Sequence, residues 1–152
     1  MMAGVDMVHV PYAGHVPAGR ALSEGREAQL MFDAGVMAMS KIKSGKLRAL
    51  GVTSTKRMTV LPEVPTIAEA GLKGYEVSNW LGLLAPAGTP KEVSGVIHAA
   101  LGRAMANRQL REQLIGLGIE PTFGTPEEFA ALIRTELPRW AEIVKKSGAT
   151  VD

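Results

Sequence analysis

Apolar positions along this chain change their period, and the changes divide it into elements. Over the first third they fall in short runs: "MVHV" (Met7 to Val10), "AQLMF" (Ala28 to Phe32) and "LRALGVTS" (Leu47 to Ser54). Each has the length and content of a buried strand. Between the runs the spacing becomes helical. Pro17 to Gly25 predicts a short helix with Pro17 in its first turn. Ala34 to Ser44 predicts another, with Asp33 as its N-cap and Gly45 as its stop. Strands alternating with helices imply parallel pairing and right-handed crossovers. The fold class expected is therefore α/β, a parallel or mixed sheet with flanking helices.

A turn-rich section follows, "KRMTVLPEVPTIAEAG", in which Thr66 and Glu69 have capping-box spacing and Gly71 closes the turn. Tyr75 to Gly88 reads as extended and partly apolar. Thr89-Pro90-Lys91-Glu92 is a second capping box. It opens a helix whose Val93, Val96, Ile97, Ala100, Leu101, Ala104 and Met105 share one face. Leu110, Leu114 and Leu117 continue the pattern in a further helical piece, loosened at its end by Gly116 and Gly118. Thr125-Pro126-Glu127-Glu128 repeats the start signal. The last helix carries Phe129, Leu132, Ile133, Leu137, Trp140, Ile143 and Val144 on one stripe, with Pro138 expected to kink or split it.

Composition narrows the function classes. Hydrophobic residues make up 46% and charged residues 21%, the balance of a globular chain. The net charge of +2 is scattered and aromatic residues are only 5%, so no nucleic-acid partner is expected. Cysteine is absent, which removes disulfides, thiolate nucleophiles and cysteine-held zinc. No apolar run is long enough for a membrane span, and no signal peptide is written at "MMAGVDMVHV".

Candidate chemistry gathers in two turns, "VPYAGHVPA" and "FDAGV", each between a predicted strand and a predicted helix. In a parallel sheet such turns share the carboxyl edge, where open α/β folds bind ligands. Each presents helix-start amides and a dipole favourable to an anion. Gly14 lets backbone approach a ligand, while Tyr12 and His15 offer side-chain hydrogen bonds. The bland alternative is an ordinary pair of crossover loops. His15 and Asp33 could make a base and its orienting partner, with Ser23 or Ser40 as nucleophile, but no G-x-S-x-G turn exposes a serine. Dinucleotide, Walker, EF-hand and H-E-x-x-H patterns are absent too. No catalytic residue, metal site or cofactor is expected.

The stretches "AGVDMVHVPYAG", "LMFD", "IKSGKLRALGVTSTKR", "LPEVPTIAEAGLKGYEVSNWLGLLAPAGTPKE" and "TPEEFAALIR" resemble the Bug family, the periplasmic substrate-binding proteins of tripartite tricarboxylate transporters. The resemblance runs over nearly the whole chain and corresponds to the C-terminal half of such a receptor. It implies a two-lobed periplasmic-binding-protein fold. Residues 1–79 would be most of ligand-binding domain 2, and 80–152 a helical return that completes domain 1. The family's "YKGGxPA" loop reads "YAGHVPA" here, with Ala13 and His15 at the changed positions. The following "GRALSEGREAQ" departs from the family's leucine-rich helix.

Carried over by matching position, the ligand-binding candidates are Tyr12, Gly14, Pro17 and Asp33, with His15 added by its location. The implied partner is a small carboxylate, together with membrane transporter subunits and a homodimer mate. Location would be periplasmic by resemblance, and cytoplasmic if the sequence as written were complete. The rival reading is a truncated family member that self-associates and binds no solute.

Overall fold

The computed structural model describes residues 2–148. Met1 and residues 149–152, the outer ends of the two segments expected from the resemblance, lie outside the described residues. Regular structure among those residues is helical: α1 (His15–Ser23), α2 (Gly35–Lys43), α3 (Lys91–Ala106), α4 (Arg108–Gly116) and α5 (Pro126–Ser147).

The predicted sheet is the main correction. Among the described residues there is no β-strand, and pairing is limited to one isolated parallel bridge between Val52 and Thr66. The Val52 amide donates to the Pro65 carbonyl, the Ile67 amide to the Val52 carbonyl, and the Val77 amide to the Thr53 carbonyl, each at 2.9 Å. Met7 to Val10 and Ala28 to Phe32 are non-helical but unpaired; Val8 is 91% exposed and Phe32 60%. An apolar run favours a pleated, half-buried surface and becomes a strand only where a neighbour supplies the ladder. None of the described residues does so for these two runs.

Two compact units divide the chain. One consists of Met2–Asn79 with Glu112–Glu120, the other of Trp80–Arg111 with the described chain from Pro121 onward.

The first unit holds the buried core. Met39, Val52, Leu61 and Val64 form it, with Ile42, Ala49, Met58 and Val60 packed around them. Thr66 beside them is 2% exposed. Its hydroxyl accepts from the Glu69 amide at 3.0 Å, and its own amide donates to the Glu69 carboxylate at 2.9 Å. The expected capping-box bonds are therefore present, although the segment forms a turn rather than a helix. The excursion 112–120 is fastened to this unit by polar ties. Lys43 Nζ donates to the Gly116 carbonyl at 2.7 Å, and the Glu120 carboxylate accepts from the Thr59 amide (2.7 Å) and hydroxyl (3.1 Å). Gly35 and Gly118 meet backbone to backbone: a Cβ on Gly35 would stand 2.6 Å from the Gly118 carbonyl oxygen.

The second unit is built from helix-start signals and aromatic contacts. Thr125 makes the predicted capping box in full, with Pro126 in the first turn of α5. At α3 the expectation fails. Pro90 is the N-cap there, without a side-chain cap, because the Thr89 hydroxyl donates to the Pro86 carbonyl at 2.8 Å. Pro138 does not split α5, which continues to Ser147 and ends at the left-handed Gly148 (φ 67°). Trp80 packs edge-on against Phe129 at 5.2 Å, directly beside Gly82. His98 stacks on Phe123 at 4.7 Å, and its Nε2 lies 2.9 Å from the Gly124 carbonyl. Neither α3 nor α5 contains a fully buried residue.

Candidate functional site

Helices α1 and α2 begin in the same way. The N-cap of α1 is Gly14, at φ 129° and ψ 179°, a conformation open to glycine and strained for other residues. Ala34 is the N-cap of α2. Neither start has a side-chain cap. The expected capping role of Asp33 is thus corrected: its Oδ1 accepts from the adjacent Ala34 amide at 2.9 Å, one residue too early to cap the helix. First-turn amides have no carbonyl within their own helix to bond, so the N–H groups of His15, Val16, Gly35 and Val36 lack an intrahelical acceptor.

The two starts are brought together by their flanking side chains. His15 Nδ1 lies 3.0 Å from Asp33 Oδ1, with the side chains 28% and 15% exposed. The pair is an electrostatic contact rather than an aligned hydrogen bond, because His15 Nδ1 is shut off from solvent without a hydrogen-bond partner. A cation stands nearby. The ammonium of Lys41 fills the space that a Cβ on Gly19 would occupy, and His15 Cε1 and Nε2 lie 3.8 and 3.9 Å from that same point. No carboxylate among the described residues forms a salt bridge with Lys41. Two helix N-termini, an imidazole and an ammonium therefore share one neighbourhood with a single carboxylate, which favours an anion there.

The other two sequence candidates occupy a different place. Tyr12 and Pro17 line a recess of about 320 Å³ with Arg20, Ala21, Glu24, Arg26 and Glu27. At about 100° per residue, positions 17, 20, 21 and 24 lie on the α1 face roughly opposite positions 15 and 19. Glu24 accepts from Arg20 Nε at 2.6 Å and pairs with Arg26 Nε at 2.8 Å. The bond from Arg20, aided by the charges of both guanidiniums, holds the Glu24 carboxyl below its usual pKa. Burial, and then the nearby Glu27 carboxylate, push the Tyr12 hydroxyl up.

Sequence reasoning missed Lys41 and the arginine–glutamate group. The signal for the latter was present as the spacing 17, 20, 21, 24 on one helix face. That for Lys41 was not, since only the packing of α2 over Gly19 reveals it. Ser23, once conceivable as a nucleophile, lies at the far end of α1 and donates to the Arg20 carbonyl at 3.0 Å. Among the described residues no group of three or more His, Asp or Glu could hold a metal ion, and no helix is long and apolar enough to cross a membrane.

The profile of the family described as "Tripartite tricarboxylate transporter family receptor" matches residues 1–149. Among curated proteins, the chain is 43% identical over 143 residues to the UPF0065 protein in the tcbD-tcbE intergenic region of Pseudomonas sp. strain P51. That match covers 93% of this chain and 42% of the relative. A UPF0065 protein in the clcB-clcD intergenic region of Pseudomonas knackmussii is 36% identical, covering 93% of this chain and 84% of the relative. Apart from that shorter relative, the chain spans less than half the length of the curated relatives it matches.

Solved structures agree. Rpa4515 of R. palustris with adipate superposes with a TM-score of 0.85 at 33% identity, over 97% of this chain and 49% of that one. MatC from Rhodopseudomonas palustris with bound malate gives 0.73 at 37% identity, over 94% and 49%. The resemblance read from the residues is borne out. The family is one of solute receptors rather than enzymes.

Proposed function

Because the chain belongs to the tripartite tricarboxylate transporter receptor family, we propose that it binds a small carboxylate solute, as part of a periplasmic substrate-binding protein serving a transporter of that kind. The observation that carries this reading is the pair of uncapped helix starts held together by His15 and Asp33. A carboxylate lying across them accepts from the amides of His15, Val16, Gly35 and Val36, in the favourable field of two helix dipoles. Gly14 leaves room for that approach. Asp33 orients the imidazole and offsets part of the positive charge, and Tyr12 and Pro17 flank the loop. The adipate and malate in the two solved relatives support the ligand class. Residues 1–79 would act as the ligand-bearing domain and 80–152 as the returning helical part of a second.

Affinity of the 152 residues taken alone is expected to be weak. A pocket gains affinity by enclosing most of its ligand, and these helix starts form one wall. The test is an amide-resolved NMR titration with adipate and malate. Shifts concentrated at residues 14–16 and 33–36, saturating above the micromolar range, support the reading. Shifts confined to α3 and α5 overturn the placement. Micromolar or tighter binding to a monomer overturns the one-wall argument, since about 8 kcal/mol would then come from one face.

The apolar stripes of α3 and α5 favour a second, compatible reading, self-association as a two-fold dimer. Val93, Ile97 and Trp140 are exposed, while Leu101, Phe129 and Ile133 are half-buried. Covering such a face contributes about 25 cal/mol per Å² of apolar surface, and two-fold pairing is the commonest way to cover it. Light scattering at low micromolar protein tests this. A clean monomer that binds no hydrophobic dye rules the dimer out.

A further inference from the structure

The recess on the far face of α1 has a charge layout of its own, independent of the carboxylate reading. Arg20 and Arg26 share the single carboxylate of Glu24, so that side of the recess carries one net positive charge. Glu27 lines the recess without an arginine or lysine paired to it among the described residues. Its charge lies close enough to Tyr12 to oppose ionisation of the phenol. The Tyr12 hydroxyl is closed to solvent and lacks an aligned hydrogen-bond partner. A hydroxyl in that position costs free energy until something donates to it or accepts from it.

From these features we propose that the recess is a second binding site, for a small zwitterion such as an amino acid, whose carboxylate meets Arg20 and Arg26 and whose ammonium meets Glu27 beside the Tyr12 ring. A ligand with one charge of each sign satisfies both sides and leaves none unbalanced. A simple carboxylate answers only the arginine side and adds a second negative charge near Glu27. A simple amine answers only Glu27 and faces the uncompensated arginines. At about 320 Å³ the recess falls at the small end of ligand pockets, which suits a molecule of amino-acid size. Tyr12 supplies what the ion pairs alone do not. Its hydroxyl, sealed behind the lining, is placed to donate to the Glu27 carboxylate and hold it toward the ligand, while its ring forms part of the wall.

The experiment compares L-norvaline with its deaminated and decarboxylated counterparts, pentanoate and butylamine, on the isotopically labelled 152-residue protein. L-norvaline is expected to shift the Tyr12 ring and the backbone of residues 24–27, with both single-charge probes at least about tenfold weaker there. Glu27→Gln should weaken L-norvaline about tenfold and leave adipate-induced shifts at His15 and Gly35 unchanged. Tyr12→Phe, which keeps the ring, should weaken it several-fold with the fold intact by circular dichroism. The proposal is overturned if all three probes act alike at the recess. It is equally overturned if L-norvaline shifts only the α1 and α2 starts, or if no Tyr12 shift appears up to tens of millimolar.

Discussion

The unit around α2 and the unit built on α3 and α5 are both helical, yet different physics holds them. In the first, Met39, Val52, Leu61 and Val64 are buried, and the ordered turns about them are tied by Thr66, Arg57 and Glu69. In the second, neither long helix has a fully buried residue, while α5 has a complete capping box, basic residues in its last turn and a left-handed glycine stop. A helix can thus be specified by its ends without a core beneath it. The stability of such a helix comes mostly from packing its apolar face, so an exposed face is where a covering surface has most to contribute.

The largest expected contrast sets one buried methionine against one exposed valine. Met39→Ala should cost about 2–5 kcal/mol by urea unfolding. Val96, 69% exposed, should change stability by no more than about 0.5 kcal/mol when replaced by Ala. A Val96→Ala cost well above that, growing with protein concentration, would mean that a second copy covers α3.

Next come the glycines. A Cβ on Gly35 meets the Gly118 backbone oxygen at 2.6 Å, whereas one on Gly82 meets the edge of the Phe129 ring, with Cε1 at 2.6 Å. Gly35→Ala should destabilise by about 1–3 kcal/mol, because overpacking against backbone has no cheap relief. Gly82→Ala should cost less in the same unfolding assay, since the ring can swing aside. Equal costs would mean that the Trp80–Phe129 contact is as rigid as the backbone.

Capping gives a smaller difference. Thr125→Ala should lower stability by about 1 kcal/mol. Thr89→Ala, which removes a turn bond rather than a cap, should cost no more than a few tenths, as read from thermal melts followed by circular dichroism.

The smallest effect is electrostatic. Glu69 is held below its usual pKa first by the Thr66 amide and then by Arg57. Glu136 is lowered first by Arg139 and then by Trp140. A carboxyl lowered in the folded state adds stability above its unfolded pKa, and that contribution is lost as pH falls through the folded value. Melting temperature should therefore fall between about pH 5 and pH 3. Salt should erase less of the Glu69 share than of the others, because an amide hydrogen bond is screened less than an exposed ion pair. Melts of Glu69→Gln and Glu136→Gln with and without salt check this.

What was legible in the sequence follows from how local each signal is. The end of α2 and the start of α5 were readable to within a residue, because Gly45 and the Thr125–Glu128 pair act over one turn. Thr89 carried the same letters and behaved otherwise, since the Pro86 carbonyl competed for its hydroxyl. The lack of strands among the described residues was not legible at all. Period-two and continuous apolar patterns state which residues tolerate burial, not whether a partner lies alongside. At the candidate site, the meeting of His15 and Asp33 was anticipated from both loops following predicted strands. The turning away of Tyr12 was not, because it depends on which face of α1 packs.

The contact between Gly35 and Gly118 also bears on how this chain can vary. Each position admits only the smallest residue because of the other, and Gly118 additionally needs its positive φ of 83°. Both added methyl groups would compete for the same gap, so enlarging one glycine already opens part of the space that the other would need. The double variant should cost less than the sum of the singles, because the first replacement already forces the two backbones apart. In a mutational scan these two sites, 83 positions apart, would behave as a single character.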